Sequence, residues 1–384
     1  MIMSIRIQAI STAFVATMIA AGPALGGGDE DVVLSGLNNP IGVAADADGT
    51  IWFSEMGVQG PDAPGNGKIS YLGRNLEGGF DLMSFVEGID VAFNPMGEPT
   101  GALQLAFDEN GSLLLAAGGP AIPPFPSLGS LLRYDASPAV RRGGPYPALG
   151  DAMIQQVPVF PFVVGNGYND SNVYSMAPAG GGDLYIVDSG ANILLRWDAS
   201  TDALSIVTEF PGVENPEGTI PGISQAVPTR VIADGKGGAI VVQLVGFPFA
   251  AGTASIFAVD AAGTLTTMYT GFDTLVDVEM AADGSLIVSS AGTFDPKFGN
   301  FLPGTGSILR VRGDGGTETL VDDLWCPSGL AIVGDDLWYA QPFAGTLSRL
   351  VGGAPQPCPG DLNHDGVVNG ADMGLLLSYW GSCF

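Results

Sequence analysis

Pro40–Gly57, PIGVAADADGTIWFSEMG, followed by Gly67–Gly73, GKISYLG, sets out a unit that decides the fold. A Pro opens an apolar strand, Asp46-x-x-Gly49 makes a tight turn, a second strand follows, and a Gly-rich loop leads to a third. The same order recurs five times. TGALQLAFDENGSLLLAAGG (100–119) continues into GSLLRYDAS (129–137), and VYSMAPAGGGDLYIVDSG (173–190) into ANILLRWDASTDALSIVTEF (191–210). PTRVIADGKGGAIVVQLVG (228–246), LVDVEMAADGSLIVSSAG (275–292) and PSGLAIVGDDLWYAQPFAG (327–345) begin the last three. A repeat of roughly 50 residues, each copy holding up to four short strands, is the period of a propeller blade. The sequence therefore predicts an all-β protein, a six-bladed β-propeller over residues 32–352.

The last copy stops after its third strand at Leu350 and Val351, whereas copies three to five run on into a fourth such as LSIVTEF. Val32, Val33, Leu34 and Ser35 precede the first copy and have the character of that missing strand. They are expected to pair into the last blade and close the ring, which removes exposed sheet edges. Two stretches interrupt the period and read as insertions: the Pro-rich 119–130 and residues 141–165.

Outside the ring, the N-terminus carries Arg6 and then an apolar, uncharged run to Asp29, with small residues at Ala24 and Gly26. Residues 1–26 read as a secretory signal peptide, which places the mature chain outside the cell, in the periplasm or at the cell surface, without a transmembrane anchor. The composition agrees with short strands and turns: 58 Gly, 28 Pro and a charged fraction of 14%. A formal charge of -27 excludes nucleic acid as a partner and favours cations.

The C-terminus is a different unit. After a Pro-rich linker (353–360), Asp361, Asn363, Asp365, Asn369 and Asp372 fall at positions 1, 3, 5, 9 and 12 of a loop with Gly366 at position 6 and the Val367 carbonyl at position 7. Alternating oxygens with a Gly at the sharp turn are the donor set of a Ca²⁺ loop, here leading into an EF-hand-like helix. The segment 361–384 resembles a single dockerin type I repeat, which has Asp at position 12 where calmodulin-like loops have Glu. Cys358 and Cys383 bracket the module, and a disulfide between them would staple a unit too small for its own core. Cys326 reads as a buried thiol, and His364, the sole histidine, as an exposed loop residue.

Without a histidine in the propeller, histidine-dependent chemistry is excluded there. The strand IWFSE resembles the corresponding strands of streptogramin B lyase, whose family relies on a histidine. A gluconolactonase-type site needs only oxygen ligands around a divalent cation in the central channel, so it remains open. Aligned second strands place Glu55, Ala117, Asp188, Ser290 and Gln341 in one column, with Leu244 or Gln243 from the fourth copy. Glu55 and Asp188, with Asn39, Asn172 and Asn192, are the candidate ligand-binding residues at the channel mouth, and turn-capping is the competing reading of the same side chains.

GLNNPIGVAADADGTIWFSEMG, NDSNVYSM and GDLYIVDSGANILLRWD resemble the ScyD/ScyE-type propeller family, which is NHL-like, most closely at Asp188, Gly190 and Asn192. That resemblance implies fold and secretion and supplies no reaction. Two functions stay open: an extracellular propeller binding a small molecule, a glycan or a cell-surface protein, and a metal-dependent hydrolase or lactonase using Glu55 and Asp188.

Overall fold

The computed structural model describes residues 30–57, 65–75, 79–93, 99–121, 125–356, 359–362, 368–378 and 380. Six four-stranded antiparallel sheets form the ring. Their innermost strands are Pro40–Ala45, Ala102–Phe107, Val173–Gly180, Pro228–Ala233, Leu275–Met280 and Leu330–Val333. The closing strand is Glu30–Ser35, which pairs antiparallel with Thr346–Leu350 as the outermost strand of blade six. This is the expected closure, extended by two residues, and the Tyr339 hydroxyl donates to the Glu30 carboxylate across it.

Residues 141–165 are not wholly an insertion. Met153–Pro158 is the outermost strand of blade two, paired with Ser130–Tyr134, and Tyr146–Pro147 adds a short parallel fifth strand to blade one. The remainder is a helix, Val159–Gly165, whose Val159 and Val163 are buried against blades two and three.

The Asp-x-x-Gly turns fold for a local reason. Asp46 Oδ1 accepts the backbone N–H groups of Asp48 (3.0 Å) and Thr50 (2.9 Å), and Gly49 takes φ +75°, where a side chain is disfavoured. Asp108 repeats the arrangement with Asn110 (2.8 Å) and Ser112 (2.9 Å). Asp46 also accepts from Trp52 Nε1 at 3.1 Å, so the turn anchors a fully buried indole packed against Tyr71 and Phe85. Such an aromatic contributes about 1.5–3 kcal/mol of burial.

Apart from the Tyr146–Pro147 ladder, neighbouring blades do not pair as sheets; side-chain hydroxyls bridge from one blade to a backbone carbonyl of the next. Ser54 donates to Leu103 O (2.5 Å), Thr229 to Leu275 O (3.1 Å), Ser289 to Ser328 O (3.0 Å) and Ser328 to Ile41 O (2.9 Å). Where blades six and one meet, a Cβ on Gly329 would lie 2.4 Å from Val43 N. Only glycine lets the two backbones approach that closely. Among the described residues, no helix is long and apolar enough to cross a membrane.

Candidate functional site

All connections from second to third strand, and from one blade to the next, emerge at the same end of the ring, opposite the Asp-x-x-Gly turns. The second strands end there at Glu55, Ala117, Asp188, Gln243, Ser290 and Gln341, so Gln243 and not Leu244 is the fourth member of the column. All six are buried.

Three members of the column share one job. Glu55 Oε2 accepts from Asn38 N at 2.7 Å, Asp188 Oδ1 from Asn172 N at 2.8 Å, and Gln341 Oε1 from Trp325 N at 3.0 Å. Each side chain thus caps the segment entering its own blade. The other oxygens are engaged as well: Glu55 Oε1 lies 3.0 Å from Lys68 Nζ, and Asp188 also accepts from Ala191 N (3.0 Å) and Ser171 Oγ (2.5 Å). Burial raises the Asp188 pKa, against the pull of the hydrogen bonds from Ser171, Ala191 and Asn172.

The three asparagines are equally committed. Asn39, at φ +52°, donates to Gly57 O at 3.0 Å. Asn172 Oδ1 accepts from Thr100 Oγ1 and Gly119 N, both 3.1 Å, and ties blade three to blade two. Asn192, at φ +58°, accepts from Val227 N at 2.7 Å and ties blade three to blade four. The contacts of Glu55 lie within blade one and its entry, those of Asp188 within blade three and its entry, and among the described residues none is hydrogen-bonded to both.

Towards the axis lies a charged cluster that the sequence reading missed. The third residues of the inner strands, Gln104, Arg230 and Asp277, meet across the ring. Arg230 Nε is 3.1 Å from Asp277 Oδ1, its other nitrogens donate to Glu279 Oε1 (2.9 Å) and Leu105 O (3.1 Å), and Gln104 Nε2 donates to Asp277 Oδ2 (3.0 Å). Leu330 N, from blade six, also donates to Asp277 Oδ2 at 3.0 Å. Burial pushes the Asp277 carboxyl up to about 7, with Arg230 pulling the other way. On the turn side this cluster floors a hollow of about 230 Å³ that includes Ala44, Ala106, Arg230 and Glu279. The sequence signal of this cluster is the column that the first strands form when aligned, Gly42, Gln104, Ser175, Arg230 and Asp277.

At the loop end, Cys326 is a free thiol, half-buried instead of fully buried, with φ +53° and its pKa pushed up to about 12 by desolvation. A groove of about 490 Å³ on the turn face runs past Asp46, Asp108 and Asp135, but Arg141 pairs with Asp46 at 3.0 Å and Arg133 pairs with Asp108. Among the described residues, no three His, Cys, Asp or Glu side chains are grouped to hold a metal.

In the tail, the Asp372 carboxylate accepts Leu362 N and Asn369 N, both at 2.7 Å, and so ties the two ends of the loop ahead of the helix Gly370–Ser378. Asp361 and Asp372 are buried. Asn363, His364, Asp365 and Val367, and both Cys358 and Cys383, lie outside the described residues.

This ring is shared with solved propellers. A gluconolactonase from Xanthomonas campestris has a TM-score of 0.54 at 12% identity over 86% of this chain and 91% of its own. A Bacteroides thetaiotaomicron protein of unknown function has 0.53 at 11% identity, over 85% of this chain and 72% of its own. A putative gluconolactonase has 0.50 at 13% identity, over 85% of this chain and 92% of its own. The chain is thus a six-bladed propeller with neighbours in the gluconolactonase-like class, and at these identities the likeness is one of fold. No family model matches the sequence, and no curated protein matches it.

Proposed function

We propose that the chain is an extracellular binding propeller that holds a small molecule, glycan or protein partner on its loop-bearing end. The observation carrying this reading is the commitment of the second-strand column. Glu55 and Asp188, the carboxylates best placed for chemistry, are spent on backbone N–H groups and Lys68. The connections around them, 210–227, 244–253 and 291–305, are long for a compact fold, which is the usual mark of a binding surface. Secretion and the ScyD/ScyE-type resemblance fit the same role.

The C-terminal module serves attachment or stabilisation. Asp361, Asn363, Asp365, Asn369 and Asp372, with the Val367 carbonyl, would hold the Ca²⁺, an all-oxygen set suited to a hard cation. Bound Ca²⁺ would supply the counter-charge for a loop that otherwise crowds three carboxylates. The dockerin-like resemblance and a Cys358–Cys383 bridge belong to this proposal.

The second reading, a metal-dependent lactonase with a divalent cation in the channel, rests on the ring that this chain shares with the gluconolactonase from Xanthomonas campestris. One assay separates the two. The full chain is incubated with glucono-δ-lactone and Ca²⁺, Mn²⁺ or Zn²⁺ beside Glu55→Gln. Equal, background-level hydrolysis by both supports the binding propeller, and metal-dependent turnover lost in Glu55→Gln overturns it. Calorimetric titration with CaCl₂, comparing the full chain with Asp361→Ala, tests the tail: one site lost in the variant is expected, and no Ca²⁺ binding by the parent rejects the module.

A further inference from the structure

The loop-bearing end also carries an aromatic surface, apart from the second-strand column. Phe249, from connection 244–253, packs with Phe294 at 4.6 Å and Phe301 at 5.3 Å in the arm of blade five, and those two rings lie 5.5 Å apart. In that arm Phe294–Asp295 pairs with Asn300–Phe301 as a two-stranded ladder, so the rings stand on defined backbone. Phe247 borders the cluster 6.2 Å from Phe294 and is 52% exposed. Trp325 closes the far side, donating its indole N–H to Phe301 O at 3.0 Å and leaning on Phe343 at 5.5 Å. Between them opens a hollow of about 330 Å³ lined by Phe298, Asn300, Phe301, Leu302, Pro303 and Trp325. Phe298 is 77% exposed at its edge.

Three features of the hollow select its occupant. Aromatic faces are electron-rich and attract a cation over their π surface, Trp most strongly. The wall is mostly apolar, and two of its polar atoms are already engaged, Trp325 Nε1 on Phe301 O and Asn300 Oδ1 on Phe301 N at 2.8 Å. A hydroxyl-rich ligand such as a sugar would therefore leave most of its own groups unpaired. Charge supplies the third feature. Asp323 lies outside the lining but close to it: a Cβ on Gly304, the residue after the lining Pro303, would meet its Oδ1 at 2.5 Å. Among the described residues the Asp323 carboxylate receives neither hydrogen bond nor ion pair. Asp295 of the blade-five arm and Asp322 and Asp323 of the strand Thr317–Leu324 stand against one basic residue, Lys297, on a chain of net charge -27.

We propose that this hollow binds an organic cation with an apolar body, a quaternary or alkylated ammonium group, its alkyl face on Phe298, Phe301 and Trp325 and its charge towards Asp323. The assignment rests on the reading of the loop-bearing end as the ligand face and names the ligand class. The test is calorimetric titration of the full chain with choline and with its uncharged isostere 3,3-dimethylbutan-1-ol. Choline should bind about tenfold more tightly than the isostere. Phe298→Ala and Asp323→Asn should each weaken choline about three- to tenfold with unchanged thermal stability, Asn being tolerated at the φ of +59° found at residue 323.

Absence of choline binding at millimolar concentration, equal affinity for the isostere, or indifference to both substitutions overturns the assignment. Cellobiose binding that is weakened by Phe298→Ala overturns the cation class while leaving the loop-bearing end as the ligand face. A ligand whose protection from hydrogen exchange maps to the Asp-x-x-Gly turn face overturns both.

Discussion

Replacing Arg230 by Met should destabilise the propeller by an amount that depends on pH. In the parent chain, Arg230 is buried with Asp277 and Glu279 around it, and removing one partner of a buried ion pair costs about 3–5 kcal/mol. That figure applies where Asp277 and Glu279 are ionised. Burial raises both carboxyl pKa values, Asp277 to about 7, and Arg230 opposes the shift in each, so its removal raises them further. A carboxyl whose folded pKa lies above its unfolded value binds more protons when folded, so its contribution to stability falls as pH rises through that window. For Asp277 the window runs from about 4 to about 7, worth at most about 4 kcal/mol in the parent. In Arg230→Met it extends higher and the fall is steeper. The penalty of the substitution should therefore be smaller at pH 5, where Asp277 is protonated and its ion pair with Arg230 is already gone, than at pH 8, where it is about 3–5 kcal/mol. With unfolding entropy near 2 cal/mol/K per residue, each kcal/mol moves the melting temperature of a ring this size by about 1.5 °C. Differential scanning calorimetry of both proteins at pH 5 and pH 8 measures the difference, and comparing the two at each pH cancels the titration of other groups. A Tm gap equal at both pH values, or larger at pH 5, would refute this account of the axial cluster.

Gly329→Ala should lower the melting temperature by at least about 4 °C or prevent folding, because its Cβ would meet backbone atoms at 2.4–2.5 Å that no side-chain rotation can clear. Gly222→Ala, where nothing lies within 4 Å, should change stability by less than about 0.5 kcal/mol in the same scan. Ser328→Ala should cost about 0.5–1.5 kcal/mol, because the Ile41 carbonyl loses the hydroxyl but keeps the Gly329 N–H at 2.7 Å, read as a shift in the urea midpoint at constant m-value.

The ring was legible because its signal is periodic. Apolar inner strands, Asp-x-x-Gly turns and a last copy one strand short are each visible at single residues, and Glu30–Ser35 pairs where the shortfall required. The outermost strand of blade two escaped because Met153–Pro158, MIQQVP, is half solvated and follows a Pro-rich detour, so neither pattern nor spacing marks it. In the second-strand column, position was readable and role was not: whether Asp188 meets a ligand or Asn172 N depends on the path of a connection with no periodicity. The axial cluster joins Gln104 to Asp277 across 173 residues, and the aromatic hollow is assembled from loops, where Phe247 and Phe298 look like isolated surface residues.

The clasp of blade six makes the ring topologically indifferent to where its chain is cut. Glu30 and Tyr339 touch across 309 residues, and bringing such distant segments together costs about 5 kcal/mol of chain entropy. No neighbour along the chain helps to meet it. Fusing the two ends and reopening the chain in a blade-to-blade connection such as 210–227 would leave every blade a local hairpin sheet and turn the longest-range pairing into a short one. Such a permuted ring would keep the same pairings while folding with lower contact order.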